Sequence, residues 1–171
     1  MAQPGQHIAG TALRPGPAWP VSSVMPPLAA LPTAPSVARA HVRAVLAAWR
    51  MNGLADALEL VVSELVANGV NASADGDGAP RYVEGRMPVI RLCLLTDGVR
   101  LVAEVWDDAP GVPVRLSAGR NDESGRGLDL VDSITGSRWG WHPARSGPGK
   151  CVWCEFRVPA ATGGGTRHPT I

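Results

Sequence analysis

Between Ala55 and Ala72, the apolar residues Leu58, Val61, Val62, Leu65 and Val66 recur at helical spacing and predict one buried helix face. Polar residues interrupt that helix along a narrow stripe. Glu64, Asn68 and Asn71 stand at i, i+4 and i+7, so they stack one above another. A second helical pattern carries Val37, Val42, Val45, Leu46 and Trp49. It runs from a Ser36 N-cap to about Met51, and Asn52-Gly53 ends it as a C-cap would. The later half of the chain reads as strands. Val89–Thr96 and Val99–Asp107 flank the pair Asp97-Gly98, a strong hairpin signal. An irregular stretch from Asp108 to Ser124 follows, and then a short helix over Gly127–Thr135. Ser137–His142 and Lys150–Val158 predict a closing hairpin around Ser146-Gly-Pro-Gly149, and Pro27–Leu31 predicts a short edge strand.

Helices grouped early and antiparallel strands grouped late indicate an α+β fold. The expected architecture is a two-layer sandwich, with a mixed sheet covered on one face by helices. One domain is expected over residues 27–159. Residues 1–26 are rich in Pro, Gly and Ala without sustained periodicity, which predicts a disordered tail. Residues 160–171, with Gly163-Gly-Gly165, predict a second flexible tail. The chain of 171 residues is long enough for one substantial core.

Charge and composition narrow the class. A net charge of +1 makes no electrostatic case for nucleic acid or an anionic membrane. No apolar run reaches membrane-spanning length, and the N-terminus lacks a basic head followed by an apolar stretch. The cytoplasm is the expected compartment. Cys93, Cys151 and Cys154 are too few and too odd in number for a disulfide framework. Cys151 and Cys154 form a C-x-x-C, but on a strand they point to opposite faces, which suits neither a redox loop nor a zinc knuckle. His7, His41, His142 and His168 show no ligand spacing.

The polar stripe carries the chemistry. A carboxylate and two amides inside an apolar segment must be solvated, paired or bonded to a ligand. An acid such as Glu64 can orient or deprotonate a nucleophile. An amide oxygen one turn away, on Asn68, can hold a magnesium ion. Asp107 closes a strand, and its carboxylate can accept a hydrogen bond from an exocyclic amine such as adenine presents. Gly125 and Gly127 flank Arg126 where a helix begins, and Leu128 follows. Glycines admit close backbone approach, and a helix N-terminus offers free N–H groups to phosphate.

In order and spacing, three segments resemble the Bergerat-type nucleotide-binding domain shared by gyrase, heat-shock chaperone, histidine-kinase and mismatch-repair ATPases. They are Glu64-Leu-Val-Ala-Asn68, Asp107-Asp108-Ala109-Pro110-Gly111 and Gly125-Arg126-Gly127-Leu128. They look like the N box and the two glycine boxes. The resemblance covers about Pro32 to Pro159. It is greatest to the stand-alone anti-sigma-factor serine/threonine kinases of bacteria and their actinomycete relatives.

The resemblance implies an ATP-binding regulatory protein that transfers the γ-phosphoryl group of Mg-ATP to serine or threonine of a partner. It implies Glu64 as the catalytic acid or base and Asn68 as the magnesium ligand. Asn68, Asn71, Asp107, Gly111, Gly125, Arg126, Gly127 and Leu128 are the residues implied to hold nucleotide. Asp107 would read adenine; Asp108 competes, and the spacing to Gly111 favours Asp107. The stretch from Val112 to Ser124 would be an ATP lid, with Arg115 and Arg120 folding over the triphosphate. A sigma factor or an anti-sigma antagonist is the implied partner, and a homodimer stays open. Three positions depart from the pattern. Ala109 replaces a glycine, Ala72 replaces a polar residue, and Cys151 stands where many relatives place a threonine near adenine. A non-catalytic, nucleotide-gated interaction module, or a fold that has lost its nucleotide, therefore remains an alternative.

Overall fold

The computed structural model describes residues 19–113, 127–144 and 148–160. The strands are β1 (Val21–Val24), β2 (Leu28–Ala29), β3 (Val89–Thr96), β4 (Arg100–Asp107), β5 (Trp139–Pro143) and β6 (Lys150–Arg157). The helices are α1 (Ala34–Ala48), α2 (Ala55–Ala72) and α3 (Gly127–Thr135), with a 3-10 turn over Asn52–Leu54. The sheet is six-stranded in the order β1-β3-β4-β6-β5, with β2 also beside β3. α2 lies on β3 and β4, α3 lies on β5 and β6, and α1 packs against α2. This is the expected α+β sandwich. Among the described residues every strand pairing is antiparallel, more uniform than the mixed sheet expected, because no crossover there places two strands side by side in the same sense.

The core follows from alternation in the strands and helical spacing in α2. Ile90, Leu92 and Leu94 of β3 and Leu101, Ala103 and Val105 of β4 pack on Leu58, Val61, Val62, Leu65 and Val66. Alternate residues of β6, Val152, Cys154 and Phe156, join the same cluster. A buried carboxylate joins the two helices. Glu59 of α2 is buried and takes two hydrogen bonds from Arg43 of α1, at 2.8 and 2.7 Å. The Arg43 side chain stays largely exposed, so the pair aligns the two helices without burying both charges.

Several boundaries differ from the sequence reading, each for a local reason. Val21–Val24 lie inside the expected N-terminal tail, yet they pair with Cys93–Thr96 of β3. Met25, Pro26 and Pro27 then bulge opposite Arg91 and Leu92 before β2 resumes the pairing. Prolines fit there because the segment is a sheet edge. α1 starts at Ala34, ahead of Ser36, and has Thr33 at its N-cap with no side-chain cap. Pro35 presets the first turn, and the Ser36 hydroxyl donates back to the Thr33 carbonyl at 2.8 Å. The left-handed residue after α1 is Arg50, at φ 59°, and not Gly53. The hairpin forms as its sequence predicts: Gly98 has φ +83°, and Asp97 accepts the backbone N–H groups of Val99 and Arg100 at 2.9 and 2.7 Å.

Candidate functional site

α2 carries the polar stripe past the end of β4. Gly69 faces the sheet, where an added side chain would press on its neighbours. A Cβ there would lie 2.9 Å from Ile90 Cδ1 and 3.3 Å from Asp107 Cβ. A mid-helix glycine costs about 1 kcal/mol of helix propensity. Here it lets Asp107 approach the helix backbone. The result is a cavity of about 520 Å³ bounded by Asn68, Gly69 and Asn71 on one side and by Asp107 and Leu128 on others. Leu65 and Val152 supply apolar walls, and Val112 and Pro113 edge the mouth.

Gly127, the first residue of α3, meets the stripe from above. A Cβ on it would fall 2.7 Å from Glu64 Oε2 and 3.6 Å from the Asn68 amide nitrogen. The acid, the amide and a helix N-terminus therefore converge. Glu64 is half-buried and lies outside the cavity lining, toward the α3 end. Asn71 is exposed at the far end of the stripe, where it also borders a second depression. Gly111 has φ +100° with open space around it, so glycine is required by the backbone turn there. Gly125 and Arg126, together with Arg115 and Arg120 of the expected lid, lie outside the described residues.

Asp107 and Asp108 part company. Asp108 turns away from the cavity, pairs with Arg91 at 3.0 Å and accepts the Val89 N–H at 3.3 Å. Asp107 is buried and faces the cavity. Its Oδ1 accepts the Ala109 N–H at 3.0 Å and the Lys150 ammonium at 2.8 Å. Burial pushes the Asp107 carboxyl above its ordinary range, while the Lys150 ammonium and the Ala109 N–H pull it back. Ala109 is buried with an ordinary backbone and borders a neighbouring cavity of about 490 Å³, so its methyl stays out of the space beside Asn68.

Lys150 is the residue that sequence reasoning missed. It pairs across the strands with Asp107, and both side chains face the helices. Cys151, expected near adenine, is a correction: one residue further along β6, it points to the opposite sheet face, beside Trp106. The alternation that sends Val152, Cys154 and Phe156 inward was the available signal, because Lys150 shares their parity. Cys154 points inward, so the C-x-x-C is split between two faces. Burial pushes the Cys154 thiol up to about 12 and raises that of Cys151 as well.

The model of the histidine kinase-like ATPase domain matches residues 28–154. That span holds the whole stripe, both aspartates, Gly127 and Lys150. No curated protein matches the chain. The chain belongs to the histidine kinase-like ATPase domain family, a family of ATP-binding domains. Among the described residues, no helix is long and apolar enough to cross a membrane.

Proposed function

We propose that this member of the histidine kinase-like ATPase family binds Mg-ATP in the cavity beside α2 and phosphorylates serine or threonine on a partner protein. The observation that carries the reading is the convergence at Gly127, where an acid, an amide and a helix N-terminus meet at the end of an apolar-walled cavity. The residues present fit the nucleotide. Gly69 leaves room at the Asp107 end, and both described hydrogen bonds to Asp107 fall on Oδ1, which leaves Oδ2 to accept an amine. Gly127, at the N-terminus of α3, suits phosphate at the other end.

Bound ATP supplies the γ-phosphoryl group, and magnesium would neutralise part of its charge. Asn68 would hold the metal through its amide oxygen, together with phosphate oxygens. Glu64 would take the proton from the acceptor hydroxyl as that oxygen bonds to phosphorus and the bond to the departing ADP breaks. Positioning and electrostatics carry most of the barrier lowering in such a transfer. A sigma factor or its antagonist is the partner class we favour, on the motif resemblance.

The test has two stages. Partners are captured with and without Mg-ATP, and the captured proteins are then incubated with γ-labelled ATP and either wild-type protein or Glu64→Gln. Label on serine or threonine with wild-type protein, absent with Glu64→Gln, supports the proposal. ATP-dependent capture with no wild-type transfer replaces it with a non-catalytic, nucleotide-gated module. Transfer that survives Glu64→Gln leaves the kinase but removes the role of Glu64.

A further inference from the structure

A buried lysine in a base pocket needs an explanation. Lys150 and Asp107 are each 4 % exposed, so the pair is enclosed on both sides. Enclosing two charges is expensive, and a well-packed apolar pair is often as stable or more so. Stability alone is therefore a weak reason for the pair. Its location is more informative, because both residues line the cavity beside Asn68 and Gly69.

Counting donors shows what the pair offers. An ammonium has three N–H donors and no acceptor. Lys150 Nζ gives one to Asp107 Oδ1 at 2.8 Å and one to the Ala109 carbonyl at 3.4 Å. One donor remains. Asp107 presents Oδ2 as an acceptor on the Gly69 side. The end of the cavity thus presents a donor and an acceptor side by side, held in register by the β4–β6 pairing. Adenine carries the complementary edge: the N6 amine donates, and the adjacent ring N1 accepts.

We infer that Lys150 is a second base-reading residue, which donates to N1 of adenine while Asp107 accepts from the N6 amine. The inference rests on the proposal that ATP occupies this cavity. Lys150 also holds Asp107 in place through Oδ1, so the two roles must be separated experimentally. Lys150→Gln does this. Its amide nitrogen has two N–H donors, enough for Asp107 and Ala109, and none is left for the base.

The experiment is calorimetric titration of ATP and of 1-deaza-ATP, in which N1 is replaced by C–H. Both are titrated into wild-type protein, Lys150→Gln and Lys150→Met, and thermal melting checks each fold. Wild type is expected to bind 1-deaza-ATP about tenfold more weakly than ATP, the effect of one charge-assisted hydrogen bond. Lys150→Gln is expected to melt below wild type, because the buried Asp107 loses its counter-ion, but to remain folded and to bind the two nucleotides equally. Equal binding of both nucleotides by wild type overturns the inference, whether or not either variant folds. So does a tenfold difference that persists in a folded Lys150→Gln or Lys150→Met. Absence of any ATP binding by wild type is a different failure: it removes ATP from this cavity, and the assignment of Lys150 with it.

Discussion

The Cα of Gly127 abuts the Glu64 carboxylate so closely that a methyl group on it would lie 2.7 Å from Oε2. The first turn of α3 and the middle of α2 thereby lie in close contact at the candidate transfer site. The obstructing atom is the end of a flexible side chain, so Gly127→Ala can be accommodated by moving the carboxylate. The variant should fold with a stability change of no more than about 1 kcal/mol. It should lose phosphoryl transfer at least in part, since a displacement near 1 Å costs about a hundredfold in rate. Melting and a transfer assay on the same preparation separate the two effects.

Gly69 offers a contrasting case. Alanine there would gain about 1 kcal/mol of helix propensity but must press on Ile90 and on Asp107 Cβ. Overpacking costs about 1–3 kcal/mol. Gly69→Ala should therefore be neutral to moderately destabilised, and it should bind ATP more weakly because Asp107 is displaced. A variant that is more stable and binds ATP as wild type does would show that the close approach is incidental.

Asn68→Ala should weaken ATP binding more in magnesium than in chelator. The deleted oxygen is proposed to contact the ion, and a hydrogen bond or contact to a charged group is worth about 1.5–3 kcal/mol. Titrations in the two buffers measure the difference. An equal loss in both points to a direct contact with nucleotide.

The Asp97 hairpin makes a prediction about acid. The backbone N–H groups of Arg100 and Val99, with the Arg100 guanidinium, lower the Asp97 carboxyl from 3.8 to about 2. A depressed folded pKa means stabilisation that is complete above the unfolded value and lost as pH falls through the folded one. Wild type should therefore melt above Asp97→Asn at neutral pH, and the gap should close between about pH 4 and pH 2. A gap that stays constant across that range would assign the effect to hairpin geometry instead.

Much of this architecture was readable because periodicity is a local property. The apolar spacing of α2 located a helix over about Ala55–Ala72, the span observed, and the Asp97-Gly98 signal located the β3–β4 hairpin. The elements that escaped depend on partners distant in sequence. Val21–Val24, interrupted by Ser22 and Ser23, has no pattern of its own and exists through pairing with β3. At the site, Glu64, Asn68 and Asp107 were recognisable as residue types at telling positions. Lys150 was not, because its importance lies in which strand it faces. A shift of one residue decided between Lys150 and Cys151, and only strand register settles such a choice.

In the proposed function ATP lies in the cavity between α2 and β4, with its base at Asp107. The most direct measurement is calorimetric titration of Mg-ATP into wild-type protein and Asp107→Asn, with melting curves to establish that both are folded. The account predicts saturable binding by wild type and at least tenfold weaker binding by a folded Asp107→Asn, since a charge-assisted hydrogen bond of about 1.5–3 kcal/mol is lost. Equal and tight binding by the two proteins would contradict it and place the nucleotide elsewhere.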